Sequence, residues 1–99
     1  MQEYEIDILP RAKFDLDEIW MTIASVDFDR ADRFIAKLEN KISKLSKLPE
    51  IGSPRFELLS NMRILVEGNY LIFYAFDGNK VVVMNIVHGA RDLSELDFT

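Results

Sequence analysis

Apolar and polar residues alternate in "YEIDIL" (residues 4–9), with Tyr4, Ile6 and Ile8 set against Glu5 and Asp7. That period predicts a half-buried strand. Pro10 ends it, and its fixed φ suits the first turn of a helix. From about Arg11 the spacing lengthens. Leu16, Ile19, Trp20, Ile23 and Ala24 recur at the three- and four-residue steps that put them on one helical face. "SVD" (residues 25–27) interrupts the pattern, and the Asp27 side chain is placed to cap a second helix. Ala31, Phe34, Ile35, Leu38, Ile42 and Leu45 form that helix's apolar stripe, which continues to Leu48 before Pro49 stops it. A short connection between two amphipathic helices predicts an antiparallel helical hairpin.

The stretch "PEIGSPRFELLSN" (residues 49–61) carries Pro, Gly and Ser at turn positions and reads as the principal loop. Three apolar runs follow: "MRILV" (62–66), "YLIFYAF" (70–76) and "KVVVMNIV" (80–87). Glu67-Gly68-Asn69 and Asp77-Gly78-Asn79 join them, and Gly beside Asn or Asp supplies the positive φ of a tight hairpin. The order β-α-α-β-β-β predicts an α+β fold, a helical hairpin packed on a small antiparallel sheet, with residues 1–99 forming one domain. "YLIFYAF" and "VVVMNIV" are apolar on both alternating sets. One set, either Tyr70, Ile72 and Tyr74 or Leu71, Phe73 and Ala75, therefore needs cover beyond the helices. Simple burial as the central strand of a small curved sheet, cover by the tail, and a docked partner are the alternatives.

Charge narrows the function. Twelve Lys+Arg against 17 Asp+Glu give a formal net charge of -5, the wrong sign for a chain that lives on phosphate backbones. The cations are nevertheless segregated. Arg30, Arg33, Lys37, Lys41, Lys44 and Lys47 recur along one flank of the second helix, either as a solvated rim or as a contact stripe for an acidic partner. There is no cysteine, so no thiolate metal site or Cys nucleophile. The acidic N-terminus lacks the basic region of a secretory signal, and no apolar run is long enough to span a bilayer, so a cytoplasmic chain without membrane contact is expected.

No phosphate-binding Gly loop, HExxH helix or GxSxG elbow is present, and a lone histidine cannot anchor a metal. Neither metal nor cofactor is expected. The remaining candidate chemistry is His88, with Arg91, Arg63, Tyr70 and Tyr74. Strict alternation places His88 on the same face as Val82, Met84 and Ile86, at the end of the last strand. Two roles suit it. His88 and Arg91 either tie down the chain where the strand ends, or perform acid–base work on a phosphate held by Arg91.

"LPRAKFDLDEIWMTIA", the loop residues Pro49, Gly52, Pro54 and Arg55, then "YLIFY" (70–74) and "HGARD" (88–92), together resemble the ParE branch of the RelE/ParE toxin superfamily, also described as plasmid stabilisation proteins. The resemblance runs almost end to end. It implies the toxin of a type II toxin–antitoxin module that forms a hetero-oligomer with a cognate, DNA-binding, ParD-like or other antitoxin. It further implies inhibition of DNA gyrase by protein contact, with no nucleic-acid binding by the toxin alone. Arg55, Arg63, Tyr70, Tyr74, His88, Arg91, Trp20, Lys37, Lys41 and Lys44 are the candidate target- or antitoxin-binding residues. RelE-like relatives instead cut ribosome-bound mRNA, and here His88, Arg91 and Arg63 would be the catalytic set. Such toxins typically carry Arg after the central-strand tyrosine, where this chain has Leu71. RNA cleavage needs a base, an acid and several cations, which this sequence supplies poorly. A binding module without toxicity is the third reading.

Overall fold

A computed structural model describes residues 2–89. The first strand, β1 (Glu5–Ile8), leads directly into helix α1 (Pro10–Ala24), with Pro10 in the first turn as its missing N–H permits. Helix α2 (Phe28–Ser43) starts at Asp27, whose carboxylate accepts a hydrogen bond from the Arg30 backbone N–H at 3.2 Å. The stripe beyond Ser43 continues as a 3-10 turn, Lys44–Ser46. The α-helix is therefore shorter than the apolar pattern, because a tightened last turn still buries Leu45.

The loop that follows contributes a two-residue strand, β2 (Ser53–Pro54). Then come β3 (Met62–Glu67), β4 (Tyr70–Phe76) and β5 (Lys80–His88). The sheet order is β1-β5-β4-β3-β2. Strands β3, β4 and β5 form the expected antiparallel meander. Gly68 and Gly78 take positive φ at 59° and 90°, and the Asp77 carboxylate accepts from the N–H groups of Asn79 and Lys80 at 2.8 and 2.9 Å. The sheet is mixed, however, because β1 lies parallel to β5, pairing Glu5 with Lys80 through Ile8 with Val83. The helical hairpin and strands β2 to β4 lie between them in the chain, well beyond the roughly twelve residues that a parallel crossover needs.

Two apolar clusters sandwich the sheet. On the helix side Ala12, Ile19, Leu38, Ile42 and Leu45 pack on Leu65, Ile72, Tyr74, Val81, Val83 and Ile86. On the other side Met62, Ile64, Phe73, Met84 and Val87 are buried, with Leu9, Leu58, Leu71, Ala75 and Val82 packed against them. Leu71, Phe73 and Ala75 are thus the set turned away from the helices, and the loop residue Leu58 and Leu9 supply part of the cover. The tail assigned to that face from sequence lies outside the described residues.

Strict alternation fails in β5. Tyr74 pairs with Val83 and Phe73 with Asn85, so Met84 is an extra residue, a β-bulge. A bulge reverses the parity of everything beyond it. Val82 and Met84 face away from the helices, whereas Ile86 belongs to the helix-side cluster and His88 pairs with Tyr70. The alternation that grouped His88 with Val82 and Met84 is corrected by this one inserted residue.

Candidate functional site: a basic cleft between hairpin and sheet

The bulge delivers His88 to the helix side at the far end of β5, where it is exposed. Its ring meets Tyr70 edge-on with centroids 5.3 Å apart, and Tyr70 in turn packs at 5.5 Å against Phe34 of α2. Gly68 opens the β3–β4 turn close beneath Phe34, where a Cβ would stand 3.2 Å from the ring. Between these groups and α2 lies an open cleft of about 700 Å³. Arg30, Arg33 and Lys37 form its helical wall, and Tyr70, His88 and Asn69 line the sheet side. A smaller hollow of about 300 Å³ flanks the same Tyr70–His88 pair and runs along α1 past Arg11, Glu18 and Thr22.

Within the cationic stripe, the structure separates two kinds of residue. Lys41 reaches Glu67 at 3.7 Å and Lys47 reaches Glu3 at 3.7 Å. Arg30, Arg33, Lys37 and Lys44 have no carboxylate within ion-pair distance among the described residues, and the first three of them face the cleft.

Arg63 and Tyr74 occupy a different place. They pair across β3 and β4, four residues along β4 from the Tyr70–His88 pair. At about 3.3 Å per residue that is roughly 13 Å away. The Arg63 guanidinium donates to the carbonyls of Glu50 and Gly52 at 3.1 and 3.0 Å and to the Glu50 carboxylate at 3.3 Å. The buried Tyr74 hydroxyl accepts from the Gly52 N–H at 2.9 Å. This pair fastens the loop after α2 to the sheet. Arg55 is held by Glu57 at 2.6 Å in that loop, and Trp20 donates to Asp32 at 2.8 Å across the helical hairpin while stacking at 5.8 Å on Phe28. Arg91 lies outside the described residues.

Burial raises the Tyr74 hydroxyl pKa above its ordinary value of 10.0, outweighing the Gly52 N–H and the Arg63 charge, which lower it. Because the folded value exceeds the unfolded one, the neutral phenol stabilises the fold fully below about pH 10. That contribution is lost as pH rises through the folded value. Alkaline unfolding followed by circular dichroism is expected to show this loss, and Tyr74→Phe is expected to flatten the dependence above pH 10 while being less stable at pH 7.

Sequence reasoning missed the roles of four residues. Asp15, one of several acids in α1, is buried and accepts a hydrogen bond from the Ile86 N–H at 2.9 Å. Gly52 is wedged against the Tyr74 ring. Arg30 and Arg33 were visible only as members of a stripe. Their spacing with Lys37 marked one helical face, yet nothing local marked the β3–β4 turn opposite it. Among the described residues, no group of three or more His, Asp or Glu side chains is arranged to hold a metal, and no helix is long and apolar enough to cross a membrane.

A strand, a helical hairpin and a bulged meander define the RelE/ParE-like fold, and solved structures bear this out. The chain is similar to a chain of the chromosomal ParDE toxin–antitoxin system from P. aeruginosa, with TM-score 0.73 and 15% identity over 87% of this chain and 96% of that one. It is also similar to a chain of the RelBE2 toxin–antitoxin complex from Mycobacterium tuberculosis, with TM-score 0.67 and 21% identity over 87% and 98%. No curated protein matches it significantly by sequence. Residues 6–93 match the model of the family described as "ParE toxin of type II toxin-antitoxin system, parDE". The chain belongs to the ParE toxin family of type II toxin–antitoxin systems.

Proposed function

We propose that this chain is the toxin of a two-component module, neutralised by a cognate antitoxin and acting on DNA gyrase by protein contact rather than by catalysis. The observation that carries the absence of catalysis is the separation of Arg63 from His88. A ribonuclease needs an acid, a base and cations converging on one phosphate. Here Arg63 is committed to the loop at one end of β4, whereas His88 and Tyr70 stand at the other. Family membership and the similarity to chains of the ParDE and RelBE2 systems support the antitoxin partner. The exposed apolar tip of the helical hairpin, with Val26 82% and Phe28 66% exposed beside the cationic flank of α2, is a contact surface suited to an acidic, amphipathic segment.

The test is a short induction of the chain without antitoxin, with DNA and protein synthesis pulse-labelled in the same cells, alongside supercoiling assays on purified gyrase. An early stop in DNA synthesis with inhibited supercoiling is expected. An early stop in protein synthesis with gyrase unaffected would instead return His88 and Arg63 to the ribonuclease reading. If neither process falls, the chain is a binding module.

A second expectation concerns the stripe. Simultaneous charge reversal at Lys37, Lys41 and Lys44 is expected to weaken antitoxin binding about tenfold or more at low salt, chiefly through slower association. The difference should shrink as salt shortens the screening length. Binding kinetics at two ionic strengths check this, and unchanged rates would make the stripe a solvated flank. Lys41→Glu also sets two carboxylates together at Glu67, so thermal melts of the variant belong in the same experiment.

A further inference from the structure

The cleft between α2 and the β3–β4 turn has features that contact with a protein target does not explain. Arg30, Arg33 and Lys37 recur at three- and four-residue steps, so like charges crowd one helical wall, an arrangement that is itself unfavourable. The chain has an excess of acids, 17 against 12, and uses them to pair Lys41 and Lys47, yet supplies none within ion-pair distance of these three among the described residues. Arginine's planar fork fits phosphate bidentately, and a lysine beside it adds a mobile point charge. Among the cations on the same helix stands Phe34, its ring 5.5 Å from Tyr70 on the sheet side, with the exposed His88 ring against Tyr70. A volume of about 700 Å³ lies within the range of pockets that take a small organic ligand.

We propose that this cleft binds a nucleoside polyphosphate, its phosphates on Arg30, Arg33 and Lys37 and its base against the Phe34–Tyr70 wall. Size and field together favour a small anion over a long one. The positive wall is confined to three side chains, while Asp29 and Asp32 on the same helix, Glu18 beside His88 in the adjoining hollow, and the net charge of -5 would repel a polyanion running past the cleft. The cleft shares Lys37 and Val26 with the surface proposed above for the antitoxin, but ATP binding is measured on the chain alone, so its failure and the failure of the antitoxin reading are distinguished.

Titration calorimetry on the purified chain, with ATP, inorganic triphosphate and adenosine as separate probes, tests the proposal. ATP is expected to bind with Kd below about 1 mM, and triphosphate and adenosine each about tenfold more weakly. Arg33→Ala with Lys37→Ala is expected to cost ATP affinity about tenfold or more, the loss of charge-assisted hydrogen bonds. Lys13→Ala with Lys80→Ala, two cations outside the cleft, is expected to leave affinity within about twofold. Circular dichroism confirms that both variants are folded. Undetectable ATP binding, equal losses in the two double variants, or triphosphate binding as tightly as ATP would each overturn the proposal. So would displacement of ATP by a polyglutamate peptide of higher affinity, which would give the cleft to an acidic protein segment.

Discussion

Asp15→Ala is expected to destabilise the protein by about 2–3 kcal/mol. The reason lies in how β1 leaves the sheet. It pairs with β5 only as far as Ile8 opposite Val83, and the Leu9 N–H adds one more bond to the Val83 carbonyl at 3.0 Å before Pro10 turns the chain into α1. Three residues further along β5, just past the bulge, the Ile86 N–H meets the Asp15 carboxylate instead, at 2.9 Å. The helix thus takes over where the strand stopped. Arg11, one turn earlier, holds the other carboxylate oxygen at 3.3 Å. Removing the carboxylate leaves a buried N–H without its acceptor and loosens the joint between α1 and the only strand that pairs with both β1 and β4. For a domain of this size the loss corresponds to a fall in Tm of roughly 8–20 °C. Asp15→Asn keeps an acceptor of similar shape and is expected to lose less than half as much. Thermal unfolding of the two variants decides the matter. Equal losses would mean that charge, through Arg11, matters more than the hydrogen bond to Ile86. No loss in either would remove Asp15 from the architecture.

The same residue shows where sequence reasoning stops. Strands β1, β3, β4 and β5, the two helices and both hairpin turns were legible because each carries a local signal: period two or an unbroken apolar run, period near four, or Gly beside Asn or Asp. The two-residue β2 fell in what the sequence showed as loop. The Asp27 cap and Pro10 in the first turn of α1 are local in the same way. What was not legible depends on partners far apart in the chain. The parallel pairing of β1 with β5 joins residues separated by the whole helical hairpin and by strands β2 to β4. The bulge at Met84 leaves no composition mark, since Val, Met and Ile are all at home in a strand, yet it decides which face His88 occupies. Asp15 resembled the other acids of α1 because only its neighbour in space, 71 residues away, gives it a role.

The candidate site divides along the same line. The cationic face of α2 could be counted from the helical period, but its split into the paired Lys41 and Lys47 and four cations without an ion pair among the described residues depends on where Glu3 and Glu67 fall. Arg63, Tyr70, Tyr74 and His88 were correctly grouped as residues of the sheet, and alternation alone would have let all four converge. The register instead sorts them into two pairs: Arg63 with Tyr74, turned to the loop, and Tyr70 with His88, turned to the cleft. That sorting separates Arg63 from His88, two of the three residues that the ribonuclease alternative would bring together.

Gly52→Ala is expected to cost about 2–4 kcal/mol, through overpacking together with a lost buried hydrogen bond. Gly52 has no unusual φ that an alanine would strain, so the effect is one of space. A Cβ there would stand 2.6 Å from the Tyr74 hydroxyl, 2.7 Å from its ring and 2.9 Å from the Ile64 carbonyl, all closer than real atoms tolerate. Tyr74 is fully buried in the middle of β4 and cannot swing aside, and the Ile64 carbonyl belongs to β3. The loop must therefore move. Moving it breaks the Gly52 N–H bond to the Tyr74 hydroxyl and pulls the Gly52 carbonyl from Arg63, whose guanidinium is mostly buried. Tyr74→Phe removes the hydroxyl and relieves the closest contact, but the ring and carbonyl contacts remain. The double variant is accordingly expected to be less stable than either single one, yet by less than the sum of their losses, as for two changes that break the same bond. Urea unfolding of the two single variants and the double variant measures that coupling. Strict additivity would show that the loop is held independently of the Gly52–Tyr74 bond, and a Gly52→Ala loss below about 0.5 kcal/mol would show that the loop relaxes freely around a methyl group.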